Sequence, residues 1–198
     1  MSGILILEQT LNGLQFGLML FLLAAGLTLV FGIMDMINLA HGSLYMVGAY
    51  LMAAIAQATG SFWIALPLAV IATAIVGMLL EIALLRRLYQ RDHLTQVLAT
   101  FAVILIANEV IRLIFGPQPI MLNTPAALSG PVQLLPGLTY SSYRLLIIGV
   151  GLAVAIVLYI LVAKTRTGML VRAGASNREM ATAMGVNIKA LFTVVFGV

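Results

Sequence analysis

Residues 11–33 carry no charged side chain, and that run constrains the chain more than any other feature. A helix needs about 20 mostly apolar residues to cross a bilayer core about 30 Å thick. Residues 62–85 form a second run of this kind, with only Glu81 charged near its end. Residues 94–115 form a third, holding Asn108, Glu109 and Arg112, and residues 143–163 a fourth. Residues 44–58 are apolar but short, and a last apolar run opens near residue 190 and stops at 198. With 63% hydrophobic and 8% charged residues, the chain is far from the roughly 25% charged composition of soluble domains. Hydrocarbon resolves this, because it can surround a helix that is apolar on every side.

The charges are as unevenly placed as the apolar runs. Three arginines lie in residues 86–93 and five lysines or arginines in residues 164–189, eight of the ten basic residues in the chain. Basic loops of membrane proteins face the cytoplasm. Two spans separate these loops, an even number, so both are expected there. The net charge of +4 then reflects topology, and nucleic acid is not an expected partner. Residues 116–142 hold five of the six prolines and read as an irregular outer loop. Trp63, Tyr140 and Tyr143 are expected at the outer headgroup level. Residues 1–7 lack the basic region of a cleaved signal, so the first run is expected to stay as a membrane helix. The N-terminus is expected outside if residues 11–33 and 44–58 each cross once. A polar interruption in mid-membrane would change that count.

Three segments stand out chemically. In the first, Asp35, Asn38 and His41 recur at a spacing of three, with Gly42 behind them. Buried polar groups at such spacing line a bundle interior or a watery path. Alternatively, Asn38 or Asp35 merely caps the following helix. In the second, residues 169–184 read as one short amphipathic helix or a pair, which suits a docking surface or a helix resting on anionic lipid. In the third, Glu109 and Arg112 stand at i, i+3 and are expected to pair, with Arg112 snorkelling to the outer interface. Glu81 is expected to pair structurally with Arg86. Gly13 and Gly17 form a GxxxG step, read as close helix packing.

No cysteine is present and only two histidines are, so no metal site is expected, nor any cofactor. The P-loop, HExxH, GxSxG and dinucleotide fingerprints are absent from the sequence. If ATP drives this system, another subunit must bind it.

GLTLVFGI at 26–33, INLAHGS at 37–43 and GAY at 48–50, together with RTGMLVRAGASNREMATAMGVN at 166–187, resemble the LivH-type permeases. These are membrane subunits of ABC importers for branched-chain amino acids. The resemblance implies an all-α, polytopic membrane helix bundle with a broken helix near the N-terminus and cytoplasmic coupling helices, in a bacterial inner membrane. It implies as partners two ATP-binding subunits, a second related permease subunit and a periplasmic substrate-binding protein, with lipid around the spans. Arg172, Ala173, Glu179, Ala183 and Gly185 become the ATPase-coupling candidates, and Asp35, Asn38, His41 and Gly42 the path or helix-break candidates. Residues 1–198 are expected to form a single permease domain that lacks the family's C-terminal helices. Urea or short-amide permeases of the same family are the alternative. An ion-coupled carrier using Asp35, Glu109 and Arg112, and an intramembrane enzyme using His41 and Asp35, are further ones.

Overall fold

A computed structural model describes residues 3–34, 36, 38–89, 91–122 and 124–197, with the backbone alone for residues 33, 34, 178 and 189. The chain is almost wholly helical. Helix α1 (Gly3–Met34) is followed by α2 (His41–Thr59) and α3 (Phe62–Leu80), which continues through a π-helical turn (Glu81–Leu85) into a short α4 (Arg86–Leu88). Next come α5 (His93–Phe115), a hairpin of β1 (Pro131–Leu135) and β2 (Leu138–Ser141), and α6 (Ser142–Lys164). The chain then runs through α7 (Arg166–Ser176), α8 (Arg178–Ala183) and α9 (Ile188–Gly197).

Among the described residues four helices are long and apolar enough to cross a membrane: Gly3–Gly32, Phe62–Leu88, His93–Phe115 and Ser142–Lys164. Three of them bury only 11% of their most apolar window. Leu94, Val70, Ile106, Leu113 and Ile114 are each more than 60% exposed. In water such a surface would be unstable, whereas in lipid it carries no penalty. Helix α2, with 19 residues, has the length for a crossing of the core at about 1.5 Å per residue but is not among these four. His41, Ser43, Gln57 and Thr59 dilute its apolar surface.

The contacts divide the chain into two units, residues 1–25 with 123–165, and residues 26–122 with 166–198. In the first, Leu18, Tyr140 and Ile148 form a small buried cluster. Gly151 of α6 lets α1 come close, since a Cβ there would stand 3.0 Å from the Leu18 Cβ. The outer segment, expected to be irregular, is partly an antiparallel hairpin pairing Val132 with Tyr140 and Leu135 with Leu138. Its turn is Pro136–Gly137, with Gly137 at φ 90°, the sequence a type II turn demands. Tyr140 is no headgroup anchor: it is 3% exposed and its hydroxyl donates to Asn12 Oδ1 at 3.0 Å. Arg144 donates to the same oxygen at 2.7 Å. Trp63 and Tyr143 are exposed.

In the second unit α2 and α3 form a helical hairpin. Gly60 ends α2 in the left-handed conformation, φ 65°, its amide donating to Ala56 O, the usual glycine termination. Gly48 admits Thr73 at 3.0 Å. The main core joins Val30, Met36, Leu85, Leu88, Val171, Leu191, Phe192, Val195 and Phe196. The end of α1, the end of α3–α4, and α7 with α9 therefore meet at one end of this unit. Gly13 and Gly17, expected to pack closely, have no neighbour within 4 Å of an added Cβ. The close approaches, 3.3 Å or less, occur at Gly26, Gly48, Gly77, Gly137, Gly151 and Gly197 instead.

Candidate functional site

The polar interruption after α1 folds into a turn, and Asn38 builds it. Its Oδ1 accepts from the Ala40 amide at 3.1 Å, the local loop that asparagine side chains form two residues ahead. Asn38 is 2% exposed. The neighbouring Leu39 amide donates to Thr100 Oγ1 of α5 at 3.4 Å. Gln96, one turn earlier on α5, donates through Nε2 to Leu88 O at 3.2 Å and Arg91 O at 3.0 Å. The amide donor at Asn38 and the carbonyl acceptors at Gln96 fix which end of each carboxamide is oxygen and which nitrogen. Asn38 Nδ2 and Gln96 Oε1 are then left buried without a partner among the described residues. One is a donor and the other an acceptor, and such groups cost about 1–3 kcal/mol each when unmade.

His41 opens α2 and lies against α1, with Nε2 2.8 Å from where a Cβ on Gly26 would sit. Gly42 is in the first turn of α2, exposed, with nothing within 4 Å of an added Cβ. Asp35 lies outside the described residues. The turn thus brings the Leu39 amide to α5 and His41 to α1. Helix α5 begins at Asp92, which accepts from Thr95 N at 3.1 Å and Thr95 Oγ1 at 2.6 Å. The Thr95 hydroxyl first, then its amide, holds the Asp92 carboxyl below its ordinary range.

Residues 169–184, expected as one short helix or a pair, fall in two, α7 (Arg166–Ser176) and α8 (Arg178–Ala183). Asn177 starts α8 by accepting the Met180 amide at 2.9 Å, and Asn187 does the same for Ala190 at 3.1 Å before α9. Val171, Gly174 and Ala181 are buried, whereas Arg172, Ala173, Glu179, Ala183 and Gly185 are exposed. All five coupling candidates thus lie on the uncovered side. Met180 and Met184, 61% and 80% exposed, stand beside them at i, i+4. Methionine at an uncovered surface adapts to a partner's shape, a signal readable in the sequence.

Glu81 and Arg86 pair as expected, at 3.1 Å. Arg86 Nε also donates to Oε1 at 3.3 Å. Two partners were missed: Tyr89 donates to Oε1 at 2.8 Å and Thr193 to Oε2 at 2.7 Å. Glu109 and Arg112 do not pair among the described residues; both are exposed on α5, where long side chains reach outward. No group of three or more potential metal ligands occurs among the described residues.

Apolar helices with uncovered flanks and a small buried core define a multi-pass membrane protein. The chain belongs to the family described as branched-chain amino acid transport system / permease component, whose pattern matches residues 9–198. It is 25% identical over 201 residues to the high-affinity branched-chain amino acid transport system permease protein BraD of Pseudomonas aeruginosa, covering 96% of this chain and 66% of that one. It is 26% identical over 203 residues to the corresponding protein LivH of Escherichia coli, covering 96% and 65%. A probable LivH of Methanocaldococcus jannaschii is 29% identical over 185 residues, covering 86% and 55%. The chain therefore spans less than two thirds of the length of these relatives. No solved structure matches.

Proposed function

We propose that residues 1–198 belong to one permease domain, part of a transmembrane subunit of an ABC importer for branched-chain, hydrophobic amino acids in a bacterial inner membrane. The spans contribute to the translocation path. ATP is hydrolysed by partner subunits that dock on α7 and α8. A second related permease subunit completes the path, and a periplasmic binding protein delivers the amino acid. Residues 86–93 and 164–189 face the cytoplasm, following the bias of basic loops. Asn38, His41 and Gly42 line the path or break its helix, a role the sequence also suggests for Asp35, and Arg172, Ala173, Glu179, Ala183 and Gly185 form the docking surface.

The observation that supports docking is the two-sidedness of α7 and α8: Val171, Gly174 and Ala181 are covered while the five candidates are not. The relatives' names support the substrate class. Glu179→Lys is expected to lower co-purification of the ATP-binding subunit about tenfold, the equivalent of about 1.4 kcal/mol, with membrane insertion unchanged. Wild-type co-purification would remove Glu179 from the interface. Titrating the associated periplasmic protein with leucine and with urea separates the two substrate classes. Tight binding of urea alone would overturn the amino-acid reading.

A further inference from the structure

Glu81 is fully buried at the start of the π-helical turn that ends α3. Four hydrogen bonds reach its two oxygens, from Arg86 Nε and Nη2, Tyr89 and Thr193. Arg86 Nη2 also donates to Thr193 Oγ1 at 2.8 Å, closing the ring. Stability alone is a weak reason for such a cluster, since well-fitted apolar residues often replace a buried ion pair without loss. What the hydrogen bonds add is position. They fix α9 in one register against the end of α3.

Apolar contacts repeat the message. Tyr89 meets Phe192 edge-on at 5.1 Å between ring centres. A Cβ on Gly77 would stand 3.3 Å from the Phe196 carbonyl oxygen, and one on Gly197 3.1 Å from Met78. At its other end α9 holds the docking segment: Gly174 of α7 lies against Leu191 and Ile188, 3.4 and 3.5 Å from an added Cβ. An unbroken line of close contacts thus runs from the uncovered helices through α9 to a membrane span. Interiors this close-packed pass displacement on rather than absorb it. π-helical turns, moreover, recur at functional positions in helices.

We propose that the cluster of Glu81, Arg86, Tyr89 and Thr193 is the joint through which movement of α7 and α8 reaches α3, with Glu81 and Thr193 as positioning residues acting through α9. The inference rests on the importer reading above. Its test uses the assembled importer in proteoliposomes, carrying Thr193→Val, Thr193→Ser or Glu81→Gln, with three readouts: retained ATP-binding subunit, ATP hydrolysis, and leucine uptake per ATP hydrolysed. Thr193→Val is expected to retain the subunit and its hydrolysis while uptake per ATP falls about fivefold or more, the lower range of inter-site coupling. Thr193→Ser, which restores the hydroxyl, is expected to restore the ratio. Glu81→Gln should behave like Thr193→Val, and if it fails to accumulate in the membrane the Thr193 pair decides alone. An unchanged ratio in Thr193→Val overturns the inference, as does a loss of the ATP-binding subunit in step with uptake, which would mark the cluster as scaffold only. Should the unsubstituted chain neither retain that subunit nor take up leucine, the importer reading falls and the joint falls with it.

Discussion

Gly185 holds its backbone at φ 86°, and the hydrogen bonds around it explain why. The Gly185 amide donates to Thr182 O at 2.9 Å and the Val186 amide to Ala181 O at 3.0 Å. This reciprocal pair closes a helix when the residue after its last turn is left-handed. A side chain there would meet open space, so any substitution acts through the backbone, at about 1–2 kcal/mol for an ordinary residue. Asparagine tolerates this conformation and a β-branched residue does not. Gly185→Val is therefore expected to lower ATP-binding subunit co-purification about fivefold or more, and Gly185→Asn, which keeps the turn, to lower it less. Equal loss in both would mean that contact with the partner, and not the backbone conformation, sets the cost at this position. Asn38 carries a similar lesson. The sequence offered it as a path residue or a cap, and its Oδ1 does hold the Ala40 amide, while its buried Nδ2 has no partner among the described residues.

At the scale of elements, the spans were legible because hydrocarbon demands length and apolarity together, and both are local properties. The helical character of residues 169–184 was legible from a different local property, the alternation of charged and apolar residues along them. The ion pair of Glu81 with Arg86 lies five residues apart and could be read, but Thr193 joins it from 112 residues away, a distance no local pattern encodes. The β-hairpin was hidden by its prolines, which argue against interior strands, although Pro136–Gly137 marked its turn. Glycine spacing misled most. GxxxG at Gly13 pointed to a helix contact, whereas within that unit the contact is at Gly151. Gly149 and Gly151 both lie inside α6, so alanine adds similar helix propensity at each. Only at Gly151 does the new Cβ meet Leu18 Cβ, at 3.0 Å; Gly149 is open. Leu18 Cβ is tied to its backbone and cannot swing aside, so α1 must move. Gly151→Ala is expected to be less stable than Gly149→Ala by about 1 kcal/mol or more, within the usual cost of overpacking, measured by thermal unfolding in detergent. Equal stabilities would show that α1 yields freely.

For the whole molecule, crossings and charge must agree. Helices α5 and α6, each 23 residues, are about 35 Å long at 1.5 Å per residue, enough to carry the chain from one face of the bilayer to the other. Residues 89–92 and 165–187 are then expected on one side of the membrane, and residues 116–141 on the other. Basic side chains concentrate in the first two segments and their margins, and such loops stay cytoplasmic. The interruption after α1 fits this order. Met36 is buried with Leu85 and Leu88, so that turn lies toward the end of its unit where α4 gives way to α5. On that order helix α1 and helix α2 are each expected to cross once, which puts the N-terminus outside. Reporters fused after Asp92 and Ser176 are expected to read cytoplasmic, one after Thr124 to read external, and one after Leu39 to read cytoplasmic with the first two. An external signal at Ser176 would take α7 and α8 out of reach of any cytoplasmic ATPase. An external signal at Leu39 alone would place the break nearer mid-membrane and change the crossing count only before α3, leaving the docking face where the basic loops put it.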